Sequence, residues 1–204
     1  MNFPDGFSAP DAMVATVLVV PGLRDHVDAH WQTLLAAALQ AQGRPVHTVP
    51  PMGRKDLDCA VRVAAIEREA QAIGGPLVIV AHSGGVVMLA HWARKTRRAV
   101  QGALLATPPD FDQPMPPGYP TLAELDAGGW LPVPRDRLPF PSIVAASRND
   151  PLGRYERVAD LAQGWGSRLV DLGDVGHLNP ASGHGEWPRA CELMDELAMA
   201  GGAA

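Results

Sequence analysis

Ser83 lies in the pentapeptide Ala81-His82-Ser83-Gly84-Gly85, with small residues two positions before and two after the hydroxyl. Small neighbours let a strand and the helix that follows it close on each other, while the serine takes a strained backbone conformation that presents its oxygen. A hydroxyl is a poor nucleophile at neutral pH and needs a base to take its proton. Two other segments supply partners, Ser147-Arg148-Asn149-Asp150-Pro151 and Gly173-Asp174-Val175-Gly176-His177. An imidazole at His177 can take the serine proton and return it to a leaving group, and a carboxylate at Asp150 can hold that imidazole in the right tautomer. The competing reading makes Ser83 a capping residue in a βα turn, since serine is a favoured N-cap.

The surrounding pattern says how these groups could meet. Residues 77–80 form an unbroken, branched apolar run, which suits a parallel strand covered on both faces, and from Gly84 the apolar spacing becomes helical. Further strands are expected at 16–20, 46–49, 100–106, 142–146 and 168–172. Helices are expected at 28–42, 56–72, 155–163 and 187–199, with a short one at 121–127. This alternation implies an α/β fold: a mainly parallel sheet of about six strands with helices on both faces.

Ligand chemistry in such a sheet collects beyond the carboxyl ends of the strands. Ser83, Asp150 and His177 each follow a strand, in the chain order serine, aspartate, histidine found in α/β-hydrolases. Asp171 and Asp174 are rival acids, although Asp171 should point along its strand and Asp174 is close in sequence to His177. His184, between two glycines, is the rival base. His82 is expected to point to the other side of the turn and pack. An oxyanion would need two amide donors, for which Gly84 and Leu23 are the candidates, Gly22 permitting close approach. Arg24, in the same loop, reads as a substrate-carboxylate contact or a solvated side chain. Trp31, Tyr119 and Trp130 are candidates to line an acyl pocket, Trp31 also fitting a core position.

The 204 residues suit a single domain spanning 1–204, with an irregular leader at 1–15. Apolar residues make up 47% and charged residues 19%, a composition that excludes intrinsic disorder. The net charge of -5 gives no basic surface for nucleic acid. The one basic cluster, Arg94, Lys95, Arg97 and Arg98, falls where the helix after Ser83 should end and complements its dipole. No run approaches a membrane span and residues 1–15 do not fit a signal peptide, so a cytoplasmic location is expected. Histidine and cysteine spacing offers no metal site; Cys59 and Cys191 read as buried free thiols. Residues 107–141 hold many of the 20 prolines and read equally as a pocket wall or lid and as a passive surface loop.

Four stretches together resemble the YdeN-like (retinoblastoma-binding protein nine) family of small α/β-hydrolases: VLVVPGLRDHVDAHW, VIVAHSGG, ASRNDP and DVGHLNPASGHGEWP. They span residues 17–188, and the last, with His177, Asn179, Ser182, Gly183, Gly185 and Trp187, is the most specific. The resemblance implies an α/β-hydrolase fold without an extensive cap domain and a Ser83–Asp150–His177 triad. It also implies esterase-like or peptidase-like activity. The expected substrate is a small acyl compound, chiefly a carboxylic ester, with thioesters or short peptides as variants, and no cofactor. The family's name keeps a protein partner and a non-catalytic scaffold in view, and an acyltransferase would use the same triad. Departures from the family pattern are Ala81, Gly84 and Leu23-Arg24-Asp25; Gly84 could loosen one oxyanion donor.

Overall fold

The computed structural model describes residues 14–23, 27–53 and 55–201. Arg24 and most of the leader therefore lie outside the described residues. Six strands form one parallel sheet: β1 (Thr16–Val20), β2 (Val46–Thr48), β3 (Leu77–His82), β4 (Gly102–Ala106), β5 (Ser142–Ala146) and β6 (Arg168–Asp171). Their order is β2-β1-β3-β4-β5-β6, with every neighbouring pair parallel.

The apolar strand runs are unbroken because both faces of the sheet are covered. Val17, Val19, Val78, Val80, Leu104 and Ile143 pack under α1 (Trp31–Ala41) and α6 (Arg189–Gly201). The alternate residues Leu18, Val20, Ile79, Ala81, Leu105 and Val144 face α2 (Cys59–Ala72), α3 (Gly84–Ala93) and α5 (Tyr155–Trp165). The sixth helix, α4 (Leu122–Ala127), lies between β4 and β5 and is closed by a Thr121–Glu124 capping box. This excursion is the only long insertion among the described connections, and it carries no cap domain.

Helices α1 and α2 each start three residues later than the apolar pattern suggests. Helix α1 begins at Trp31, because the His30 imidazole Nδ1 accepts the Gln32 N–H at 3.2 Å and caps it. Helix α2 begins at Cys59, where the Asp58 carboxylate accepts the Val61 N–H at 3.0 Å. The basic cluster begins at the end of α3, where it was expected, with Arg94 as the C-cap, but one member acts elsewhere. Arg98 reaches back to a neighbouring helix, donating to the carbonyls of Ala70, Ile73 and Gly75 at 3.2, 3.0 and 2.6 Å, and so closes the end of α2 rather than that of α3. No helix among the described residues is long and apolar enough to cross a membrane.

Candidate active site

The strand order reverses between β1 and β3: the chain moves from β1 outward to β2, then returns to β3 and winds the other way. A crevice forms beyond the carboxyl ends of strands at such a point. Ser83 stands there, between the last residue of β3 and the first turn of α3, with φ 55° and ψ −133°. Its side chain makes no capping hydrogen bond. The hydroxyl instead lies 2.8 Å from His177 Nε2. The strand-to-helix turn can be this tight because Gly85 meets the β1 end directly: a Cβ there would lie 2.6 Å from the Val20 carbonyl oxygen.

Asp150 and His177 arrive from the loops after β5 and β6. The carboxylate accepts from His177 Nδ1 at 2.8 and 3.1 Å, and both side chains are buried. With Nδ1 as the donor, Nε2 is left as an acceptor facing the serine hydroxyl. The two loops are laced together by side chains that spacing did not single out. Asn149 Oδ1 accepts the Gly176 N–H at 2.6 Å and the Ser147 hydroxyl at 3.0 Å, and the Ser147 oxygen accepts the Val175 N–H at 3.3 Å. Asp150 also accepts the Leu152 N–H at 2.9 Å, which holds its carboxylate.

The rival groups stand apart from Ser83. Asp171 pairs with Arg148 and accepts the Gly173 N–H at 2.8 Å; hydrogen bonds from Arg148 and Gly173 hold its carboxyl below the usual range. Asp174 is exposed, and His184 lies outside the cavity that contains Ser83.

His82 departs from the expected packing role. Its ring borders the same cavity as Ser83, and its Nε2–H donates to the His177 carbonyl at 3.0 Å. The Thr107 hydroxyl donates to that oxygen at 3.5 Å. The backbone of His177 is thus tied to β3 and to the end of β4, while its ring is tied to the loop after β5. Full burial, with His177 and His30 beside it, pushes the His82 pKa well below the ordinary histidine value, so the ring is neutral. Among the described residues, the three non-glycine residues with positive φ are Ser83, Thr107 and Leu178. All three touch or adjoin this cluster, where strained backbone is commonly found.

Gly84 begins α3, so its N–H has no intrahelical acceptor. Across the crevice, Gly22 abuts Ser83: a Cβ on it would lie 3.1 Å from Ser83 Cβ. The room left by the missing Gly84 side chain is filled by Leu23, whose Cγ would lie 2.6 Å from a Cβ at position 84. The departure at 84 therefore fits the departure at 23.

A cavity of about 560 Å³ opens over Ser83 and His177, with apolar walls from Leu57, Phe111, Met115, Tyr119, Pro120 and Leu152 and with Lys55 and Glu124 along it. Tyr119 lies where pocket-lining was expected. Trp31 and Trp130 do not. Trp31 is 1% exposed on α1, edge-on to Trp187. Trp130 is wholly buried, edge-on to Phe111, and its Nε1–H donates to the Leu57 carbonyl at 2.7 Å. Both indoles stand behind the wall, Trp130 supporting two residues that do face the cavity. Among the described residues, no cluster of His, Cys, Asp or Glu could hold a metal ion.

A family model described as serine hydrolase matches residues 17–196. Among solved structures, the chain is similar to one described as a YdeN-like hydrolase from Pectobacterium atrosepticum, with 27% identity over 90% of this chain and 92% of that one and a TM-score of 0.73. It also shares its fold with the ydeN gene product of B. subtilis, at 17% identity over 90% and 98% of the two chains and a TM-score of 0.73. An α/β-superfamily hydrolase from Xanthomonas campestris shares the fold at 19% identity over 92% and 95%, with a TM-score of 0.57. None of the curated proteins compared matches the chain. The family match takes in Ser83, Asp150, His177 and the strands that carry them, and the chain belongs to the serine hydrolase family.

Proposed function

We propose that the protein hydrolyses small carboxylic esters through an acyl-enzyme on Ser83. The reading rests on one observation: the Ser83 hydroxyl, held at positive φ, sits 2.8 Å from a histidine nitrogen whose ring partner is a buried carboxylate. In the first half-reaction the Ser83 oxygen bonds to the ester carbonyl carbon while its proton passes to His177 Nε2. The Leu23 and Gly84 amides donate to the resulting oxyanion. The carbon–oxygen bond to the alcohol then breaks, and the alcohol leaves with the proton from Nε2. In the second half-reaction water attacks the acyl carbon, gives its proton to Nε2, and the serine oxygen departs with that proton, releasing the acid. Asp150 keeps Nδ1 protonated throughout.

The cavity supports a small substrate with an apolar acyl or alcohol group, since about 560 Å³ of largely aliphatic and aromatic wall matches the size of small-molecule sites. Labelling with a fluorophosphonate, mapped by peptide mass spectrometry, tests the reading alongside hydrolysis of p-nitrophenyl esters. The expected result is an adduct on Ser83, absent in Ser83→Ala and much reduced in His177→Ala. Turnover should fall by about 10⁴-fold to 10⁶-fold in Ser83→Ala with the melting temperature unchanged. Folded wild type that takes no label and turns over no ester would sink the reading.

A further inference from the structure

An oxyanion hole accelerates a reaction only if its donors are in place before the charge develops. Leu23 and Gly84 come from different strands, and β1 and β3 pair only as far as Val20 and Ala81. Pro21 then has no N–H with which to continue the ladder. The spacing of the two segments beyond that point therefore depends on how firmly the last rungs of the ladder are held.

Gln32, in the first turn of α1, lies over these last rungs, Val19–Val80 and Val20–Ala81. It is 2% exposed, yet it borders the cavity that holds Ser83. Its Nε2 donates to the Val20 carbonyl at 3.1 Å and to the Val80 carbonyl at 3.0 Å. Two carbonyl acceptors can be satisfied only by the amide's NH₂ side, so the orientation of the group is determined. One acceptor lies just upstream of Leu23 and the other just upstream of Gly84. The two segments touch across the same joint, where Gly22 meets Ser83 and Gly85 meets the carbonyls of Val20 and Pro21. Any widening of β1 from β3 there moves one amide donor relative to the other.

We propose that Gln32 is a positioning residue for the oxyanion hole: its side-chain amide clasps the ends of β1 and β3 and fixes the spacing of the Leu23 and Gly84 N–H groups. The proposal rests on the ester-hydrolase reading. It gives Gln32 no contact with substrate and no part in proton transfer.

The test compares full-length wild type with Gln32→Met, which keeps the side chain's length and loses both donors, and with Gln32→Asn, which keeps an amide one methylene short. Two measurements are paired: hydrolysis of a p-nitrophenyl ester, and inhibition by an arylboronic acid, whose tetrahedral serine adduct places an oxygen in the hole. In Gln32→Met, kcat should fall about 10-fold to 100-fold with KM within about twofold, the range expected from a small misplacement of catalytic donors. Boronate affinity should weaken by the same factor as kcat/KM. The pH dependence of the rate should keep its midpoint, because the Ser83, His177 and Asp150 contacts are untouched. Gln32→Asn should show the same pattern, and it carries the test alone if Gln32→Met does not fold. Unchanged kcat and boronate affinity in a folded variant would overturn the proposal, as would a loss confined to KM. A wild type that takes no fluorophosphonate label on Ser83 would overturn the hydrolase reading and this proposal together, whereas a labelled wild type with indifferent Gln32 variants would overturn this proposal alone.

Discussion

The pocket is shared between two regions built by opposite means. Ser83, Asp150 and His177 lie one, four and six residues past the ends of β3, β5 and β6, so the ladder that fixes each strand end also fixes the residue a few positions beyond it. The excursion at 107–141 has no such origin. It is fastened from outside: Asp110 and Asp112 both pair with Arg157, the Gly128 carbonyl accepts from the Cys59 amide, and the Pro134 carbonyl accepts from the Trp165 indole. Its Phe111, Leu125, Trp130, Val133 and Leu138 join the core on the α2, α3 and α5 side. These attachments fasten a segment whose Phe111, Met115 and Tyr119 line the cavity. The chemistry is placed by short connections, and the pocket's shape by contacts remote in sequence.

If that division is right, the catalytic loops should tolerate loss of a charge without moving. In Asp150→Asn the backbone has no reason to shift, because Asn149 and Ser147 do the lacing and an amide oxygen can still accept from Leu152. The imidazole, however, can then take the tautomer with the proton on Nε2, facing the serine. We expect ester kcat to fall about 10³-fold to 10⁴-fold with folding preserved. Asp171→Asn, which touches only Arg148 and Gly173, should leave kcat within about twofold. Steady-state kinetics beside circular dichroism would decide it, and equal losses in the two variants would break the assignment of the acid.

The excursion should show the reverse separation of effects. Trp130→Ala removes a wholly buried indole and its bond to Leu57, and should cost about 3–5 kcal/mol of stability. Tyr119→Ala alters the cavity surface without opening the core; it should change stability by less than about 1 kcal/mol while shifting KM by severalfold between short and long acyl esters. Urea unfolding and a chain-length series of esters would measure the pair. A stability loss from Tyr119→Ala matching that from Trp130→Ala would mean that wall and core are not separate in this segment.

The same contrast explains what could be read from the sequence. The central strands are legible because burial on two faces writes continuous apolar runs, and the grouping of Ser83, Asp150 and His177 because each follows a strand. Trp130 stands behind the wall it was expected to line, and Trp31 takes the core position that was its other reading, because an aromatic residue announces burial or pocket equally well until its neighbours are known. The start of α1 was missed because a histidine rather than an aspartate caps it. His82, Gln32 and Arg98 were missed for a deeper reason: their partners are main-chain carbonyls, which every residue has, so no spacing of side chains marks them. The polar character of Ser147 and Asn149 was visible, but not that they bind the neighbouring loop. Gly84 looked like a weak point until Leu23 was seen to fill the space beside it.

The smallest predicted effect concerns His82, which belongs to the catalytic strand end but is treated by the fold as core. Burial comes first among the causes that lower its pKa, followed by the neighbouring His177 and His30, while the hydrogen bond to the His177 carbonyl acts in the opposite direction. Trp31 packs on its ring and offers no charge. In the unfolded chain the same imidazole would titrate near the ordinary value of about 6.5. Between the lowered folded pKa and that value the unfolded state holds the extra proton, so protons favour unfolding. Stability should thus be unaffected by this group above about pH 6.5 and should decline below it, with a slope from this one histidine of at most about 1.4 kcal/mol per pH unit. His82→Asn lacks the titrating ring while keeping an N–H donor, and should show a flatter decline between pH 7 and pH 5 at the cost of lower stability near pH 7. Urea unfolding of both proteins across that range isolates the contribution, since His91, whose pKa burial also lowers, is present in each. Parallel curves would mean that the ring is not held neutral by the fold and that its bond to His177 does not depend on that state.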